Sequence, residues 1–149
     1  DAHRNEYQLI VTTQDWHIDP GEHFSQTPDF VDTWPPHGVA GTDEAELHPA
    51  LANVNADVTV KKGQYKAAYS GFEGTTEDGK TLEEALRDAG ITDVDVVGLA
   101  ESHCVACTAV DAVHAGFRTR VLRELTAPVT EELGAVAREW MMTEGVLLV

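Results

Sequence analysis

Basic residues are scarce in this chain. Ten lysines and arginines stand against 26 aspartates and glutamates, a formal charge of −16 over 149 residues. Such a surface repels phosphate backbones, which argues against a nucleic-acid partner. Long apolar runs are missing too: none approaches the roughly 18 residues that a membrane-crossing helix needs, so no membrane partner is expected. Cysteine is nearly absent. Cys104 and Cys107 are the only two, and two thiols three residues apart do not build a secreted disulfide framework, so a cytoplasmic location with reduced thiols is the expectation. There is no low-complexity tract, no internal repeat and no visible signal peptide. The chain opens "DAHRNEYQ" without an initiator Met, which leaves room for residues upstream. Hydrophobic residues make up 42%, enough for a real core, and residues 1–149 read as a single domain.

What is present alternates in type along the chain. "YQLIVTTQD" (7–15) and "ADVTVKKG" (56–63) have the β-branched, apolar character of strands. Between them, residues 16–56 show little periodicity and hold five of the six prolines, so a long functional loop is expected. The Gly-rich segment 69–81 reads as loop. "TLEEALRDAG" (81–90) reads as a helix with Thr81 as N-cap, Glu84 in a capping box and Gly90 at its end. "DVDVVGLA" (93–100) reads as a strand apolar on both faces, as buried parallel strands are. A helix over 103–116, a strand over 118–125, a helix over 130–145 and a strand over 146–149 follow. This order predicts an α/β fold: a three-layer α/β/α arrangement of Rossmann type, with a parallel sheet and helices on both faces. Ligands gather at the C-terminal ends of such strands, where Asp15, Lys62 and Cys104 fall.

Histidine is unevenly spent. Of seven, two lie in "QDWHIDPGEH" (14–23) and a third in "WPPHG". Asp15 and His17, two apart at a strand end, point to the same side. The turn sequence "DPG" can fold His23 back towards them, and the prolines before His37 stiffen its approach. Imidazoles with a carboxylate suit one divalent ion such as Zn, Fe(II) or Mn. The spacing matches no zinc-finger or H-E-x-x-H pattern. Asp19 and Glu22 are rival ligands, with Asp19 better suited to shaping the turn before Pro20. His3, His48 and His114 lack company.

Cys104 stands between a strand and the first turn of a helix, where backbone N–H groups and the positive helix end favour a thiolate and can hold an oxyanion. Lys62 ends an apolar strand and is a candidate for stabilising a developing anion. Lys61 beside it points the other way. "CVAC" is also a C-x-x-C at a helix start, so a thiol oxidoreductase stays open as a second class, although no Trp precedes it and no Pro lies between the cysteines.

"TQDWHIDPGEHFSQTPDF", "WPPHGVAGTDEAELHP", "KKGQYKAAYSGFEG" and "VDVVGLAESHCVACTAVDAV" resemble nicotinamidases, also called pyrazinamidases, of the isochorismatase-like cysteine hydrolase superfamily. The resemblance implies an isochorismatase-like fold and an amidase that cleaves nicotinamide to nicotinate and ammonia, acting in NAD salvage. It puts Asp15, His17, His23 and His37 on the metal ligands, Lys62 on the triad lysine and Cys104 on the nucleophile. The N–H groups of Ala100 and Cys104 fall on the oxyanion hole, and the Leu99–Ala100 bond on a cis peptide. Trp34 and Tyr69 fall on ring-contacting positions, with His103 beside the nucleophile. It also implies a first strand and helix, carrying the catalytic aspartate in a D-x-Q-x-D-F motif, before residue 1, which makes the domain N-terminally incomplete, with "DAHRNEY" as the tail of that helix. Ser102 replaces an aspartate common in relatives, and Cys107 is unusual. Other readings on the same fold are another cysteine amidohydrolase of the superfamily or an inactive metal-binding fragment. The implied partner is the small molecule nicotinamide, bound by a monomer or a homo-oligomer.

Overall fold

The structure, a computed structural model, describes residues 2–51 and 53–149. The chain divides into two compact units. One holds the described residues up to Ala68 together with Glu73–Leu82; the other holds Tyr69–Phe72 and Glu83–Val149.

In the first unit the strands are β1 (Val11–Asp15), β2 (Val58–Lys62) and β3 (Thr75–Thr76), in the order β1-β2-β3. β1 and β2 run parallel, with Val11 opposite Val58 and Asp15 opposite Lys62. β1 starts later than the apolar pattern suggests. Ile10 is instead held by Asp57, whose carboxylate accepts the Ile10 N–H at 2.7 Å and whose own N–H returns to the Ile10 carbonyl at 2.8 Å. The tail "DAHRNEY", expected to end a helix, contains a single 3-10 turn, Arg4–Glu6; its first residue lies outside the described residues. β3, antiparallel to β2, lies in the segment expected to be loop. Gly74 makes that pairing possible, because a Cβ there would sit 2.6 Å from the Lys61 carbonyl oxygen and from Val60 Cγ1. The long loop after β1 is not loose. The Trp16 N–H donates to Lys62 O, His17 N–H to Gly38 O and Ala40 N–H to His17 O, at 2.8–2.9 Å. Farther along, the Asp29 carboxylate accepts the N–H groups of Val31, Asp32 and Thr33, which holds its pKa far below the usual range.

In the second unit β4 (Asp93–Leu99), β5 (Arg118–Ala127) and β6 (Leu147–Leu148) are parallel, in that order. α2 (Ala106–His114) connects β4 to β5, and α3 (Glu131–Thr143) connects β5 to β6. α1 (Leu82–Asp88), whose first residue is counted with the first unit, precedes them in the chain. Thr130 caps α3, its Oγ1 accepting the Leu133 N–H at 3.2 Å. The core joins Val96, Val105, Ala106, Ala109, Val110, Val121, Ala137, Met141 and Val146, so both crossover helices share one cluster with the strands. Each fully buried side chain such as Val121 or Met141 contributes about 1.5–3 kcal/mol of transfer free energy.

The α/β class with parallel strands and helices is as expected. Two details differ. The strands form two three-stranded sheets, one with an antiparallel edge, where a single parallel sheet was expected. Apolar periodicity identifies strands, but it does not say which edges hydrogen-bond. β4 is also not buried on both sides: Val97 is 48% and Leu99 74% exposed. Its apolar run left the exposed side undetermined.

Candidate active site and metal cluster

The end of β1 and the loop beyond it gather His17, His23 and His37. One ring nitrogen from each lies within 4.8 Å of the other two. Their ring centroids are 4.9–5.4 Å apart. Each Nδ1 meets a backbone carbonyl: His17 reaches Gly63 O at 2.6 Å, His23 reaches Asp32 O at 3.2 Å and His37 reaches Pro35 O at 2.8 Å. A carbonyl only accepts, so each Nδ1 carries a proton; in the neutral ring this leaves the lone pair on Nε2, the tautomer that a metal-ligating histidine needs. His17 Nε2 is buried and has no hydrogen-bond partner among the described residues. A buried acceptor left so is costly unless something binds it. Burial pushes the His17 and His23 pKa values down, against a rise from the backbone carbonyls and the nearby Asp15 charge. The donor set therefore fits a divalent ion of the borderline class.

Two supports of this cluster were not apparent from ligand spacing. Phe24 packs its ring 5.2–6.0 Å from all three imidazoles, and the "HF" pair was its only signal. Gly63 must be glycine: its φ is +75°, and a Cβ would sit 2.6 Å from His17 Cε1. Asp19 shapes the turn, its carboxylate accepting the Gly21 N–H at 3.3 Å.

Asp15 is not among the mutually close donor atoms of the cluster. Its carboxylate accepts from Lys62 Nζ, its partner across the β1–β2 register. Lys62 is only 3% exposed and also donates to Ala68 O at 3.1 Å. Lys61 lies on the other side of the strand with its ammonium 3.4 Å from the centre of the Trp16 ring. Trp34 stands edge-on to His37 at 6.3 Å. His3 and His114 are exposed and pair with Glu6 and Glu144, and His48 accepts the Ala50 N–H. They join no metal cluster among the described residues.

The second unit carries the cysteines, both half-buried and not disulfide-linked. The helix expected from residue 103 begins as a π-helical turn, Glu101–Val105, and becomes α-helical only at Ala106. Cys104 lies in that turn. The Leu99–Ala100 peptide before it is cis. The Ala100 carbonyl accepts the N–H groups of both His103 and Val105 at 3.1 Å, which tightens the backbone around the thiol. His103 is hydrogen-bonded to Ser102 Oγ at 2.9 Å, and its ring lies 5.6 Å from that of Tyr69.

A family model described as the isochorismatase domain matches residues 1–147. The chain belongs to the isochorismatase family. Within it, the chain is 49% identical over 148 residues to the nicotinamidase/pyrazinamidase of Mycobacterium tuberculosis, covering 99% of this chain and 80% of that protein. A zinc complex of the Pyrococcus horikoshii pyrazinamidase superposes with a TM-score of 0.83 at 33% identity, covering 99% of this chain and 78% of the other. PnC1 from L. infantum in complex with nicotinate gives 0.79 at 31% identity, covering 96% and 72%. The chain is thus an isochorismatase-family hydrolase whose similar proteins include nicotinamidases.

Proposed function

We propose that this chain hydrolyses nicotinamide, and pyrazinamide, to the corresponding acid and ammonia through a thioester on Cys104. One observation carries the reading: three imidazoles with Nδ1 tied to carbonyls and Nε2 in ligand form, in a chain 49% identical to a nicotinamidase/pyrazinamidase. His17, His23 and His37 would hold the ion. Asp15 would be an oxygen ligand, since a carboxylate bound to Lys62 retains further lone pairs. When bound, a divalent ion such as Zn, Fe(II) or Mn supplies a Lewis-acidic point to which a pyridine nitrogen can coordinate. The zinc complex of a relative supports the choice of class.

The remaining work falls to side chains and backbone. Trp34 and Tyr69 flank the heteroaromatic ring with apolar surface, and His103 contacts the substrate beside the nucleophile. The thiol proton passes to a general base as Cys104 Sγ attacks the amide carbon. The N–H groups of Ala100 and Cys104 hold the oxyanion, worth about 3–4 kcal/mol per donor. The C–N bond breaks, the leaving nitrogen takes the proton and ammonia departs. Water then adds to the thioester, the C–S bond breaks, nicotinate leaves and the free thiol is regenerated. Lys62, buried and fixed by the Ala68 carbonyl, stabilises negative charge during these steps. The product acid is a precursor for pyridine-nucleotide salvage.

The test is Cys104→Ala in the full chain. Ammonia release from nicotinamide should fall to background while the circular dichroism spectrum and bound metal stay unchanged. Retained turnover would reject the thioester route.

A further inference from the structure

We propose that Arg138 is a positioning residue for the nucleophile, acting through Glu101 to pin the π-helical turn Glu101–Val105 onto α3. The inference rests on the reading of Cys104 as the attacking thiol. Glu101 opens that turn, three residues before Cys104, and its side chain is 3% exposed. A carboxylate that deeply buried needs a charged or multiply donating partner. Arg138 supplies one, with Nη1 donating to Glu101 Oε2 at 2.7 Å. The other arm of the guanidinium donates to the exposed Glu131, about two turns back along the same face of α3. A planar fork held at both ends has little freedom to swing. The arrangement therefore fixes the carboxylate and not merely its charge.

The surroundings are cut to fit. Gly134, one turn before Arg138, lies inside α3, where glycine is normally unfavourable. A Cβ there would sit 3.0 Å from Arg138 Nη1 and 2.8 Å from Pro128 Cβ. The missing side chain leaves the guanidinium its path. A second tether joins the same two segments: the Val129 N–H, just before α3, donates to Ser102 Oγ at 3.1 Å. Consecutive residues of the nucleophile turn are thus tied to α3 and to its approach. π-helical turns carry less regular hydrogen bonding than α-helix and recur at functional sites. A turn of that kind needs outside anchors if its thiol is to hold a fixed direction. Arg138 touches no reacting atom in this scheme; its effect passes through Glu101 and the backbone.

The experiment compares Arg138→Met, Arg138→Lys and the double variant Glu101→Gln/Arg138→Met in the full chain. It measures kcat and KM for nicotinamide, melting temperature, and the rate at which iodoacetamide alkylates Cys104, followed on its peptide by mass spectrometry. Arg138→Met should lower kcat about tenfold or more with KM within about twofold, because a misaimed nucleophile costs turnover and not binding. The double variant removes the stranded carboxylate, so it should recover melting temperature but not kcat. Arg138→Lys should restore only part of the rate. Cys104 alkylation should shift in rate with Arg138→Met and the double variant. Unchanged kcat per folded molecule and unchanged alkylation in the double variant would overturn the proposal, whatever happens to stability, and that variant serves if Arg138→Met fails to fold. If the wild type releases no ammonia, the amidase reading fails by itself, and the alkylation rates still decide whether Arg138 positions the thiol.

Discussion

At the scale of single residues, the metal cluster depends on atoms that are not ligands. The Gly63 carbonyl sets the His17 tautomer, and the same residue has no room for a side chain. Gly63→Ala would place a methyl group 2.6–2.7 Å from the His17 ring at a φ of +75°. The backbone strain alone costs about 1–3 kcal/mol, and relieving the clash must turn the imidazole. The variant should melt lower and bind less divalent metal per chain. Metal content measured by elemental analysis checks this, and full occupancy would show that His17 keeps its aim without Gly63. The Asp15–Lys62 pair makes a related point. Each residue is recognisable alone in the sequence, but their contact follows from the β1–β2 register.

At the scale of elements, α3 shows how one helix separates its faces. Met141 is fully buried, whereas Val136 in the same helix is 68% exposed. Met141→Ala should cost about 2–5 kcal/mol through lost burial and the cavity left behind. Val136→Ala should stay within about 0.5 kcal/mol. Urea denaturation of the two variants measures the contrast, and equal costs would contradict the assigned face. The start of α2 carries a different lesson. Sequence spacing placed Cys104 at a helix beginning, and the structure puts it there, but in a π-helical turn. Helix signals in "HCVACTAVDAV" do not distinguish a first α turn from a π turn, because both use the same residue types and differ by one residue per hydrogen-bonded loop.

At the scale of the whole molecule, proton linkage follows from the buried imidazoles. Burial holds the His17 and His23 pKa values below 6.5 in the folded chain. An unfolded chain would therefore bind more protons than the folded one below about pH 6.5. Stability of the chelator-treated protein should decline as pH falls from ~7.5 to ~5.5, levelling off once the folded-state histidines also protonate. The decline should be shallower in His23→Ala, which removes one of the two contributions. Thermal melts across that range provide the test, and equal slopes would show that His23 contributes nothing to the linkage. With metal bound the dependence should steepen, since protons and metal compete for the same nitrogens. The sequence by itself determined the α/β class, the helices and most strands, and which residue types could do the chemistry. Apolar period, turn residues and the family motifs are local properties of the chain. Only the tertiary structure decided that three imidazoles bring a ring nitrogen each within 4.8 Å of the others, that Lys62 holds Asp15, that β3 pairs with β2, and that Arg138 reaches Glu101. Those outcomes depend on which backbone carbonyls and strand edges meet across tens of residues, and no local pattern encodes such meetings.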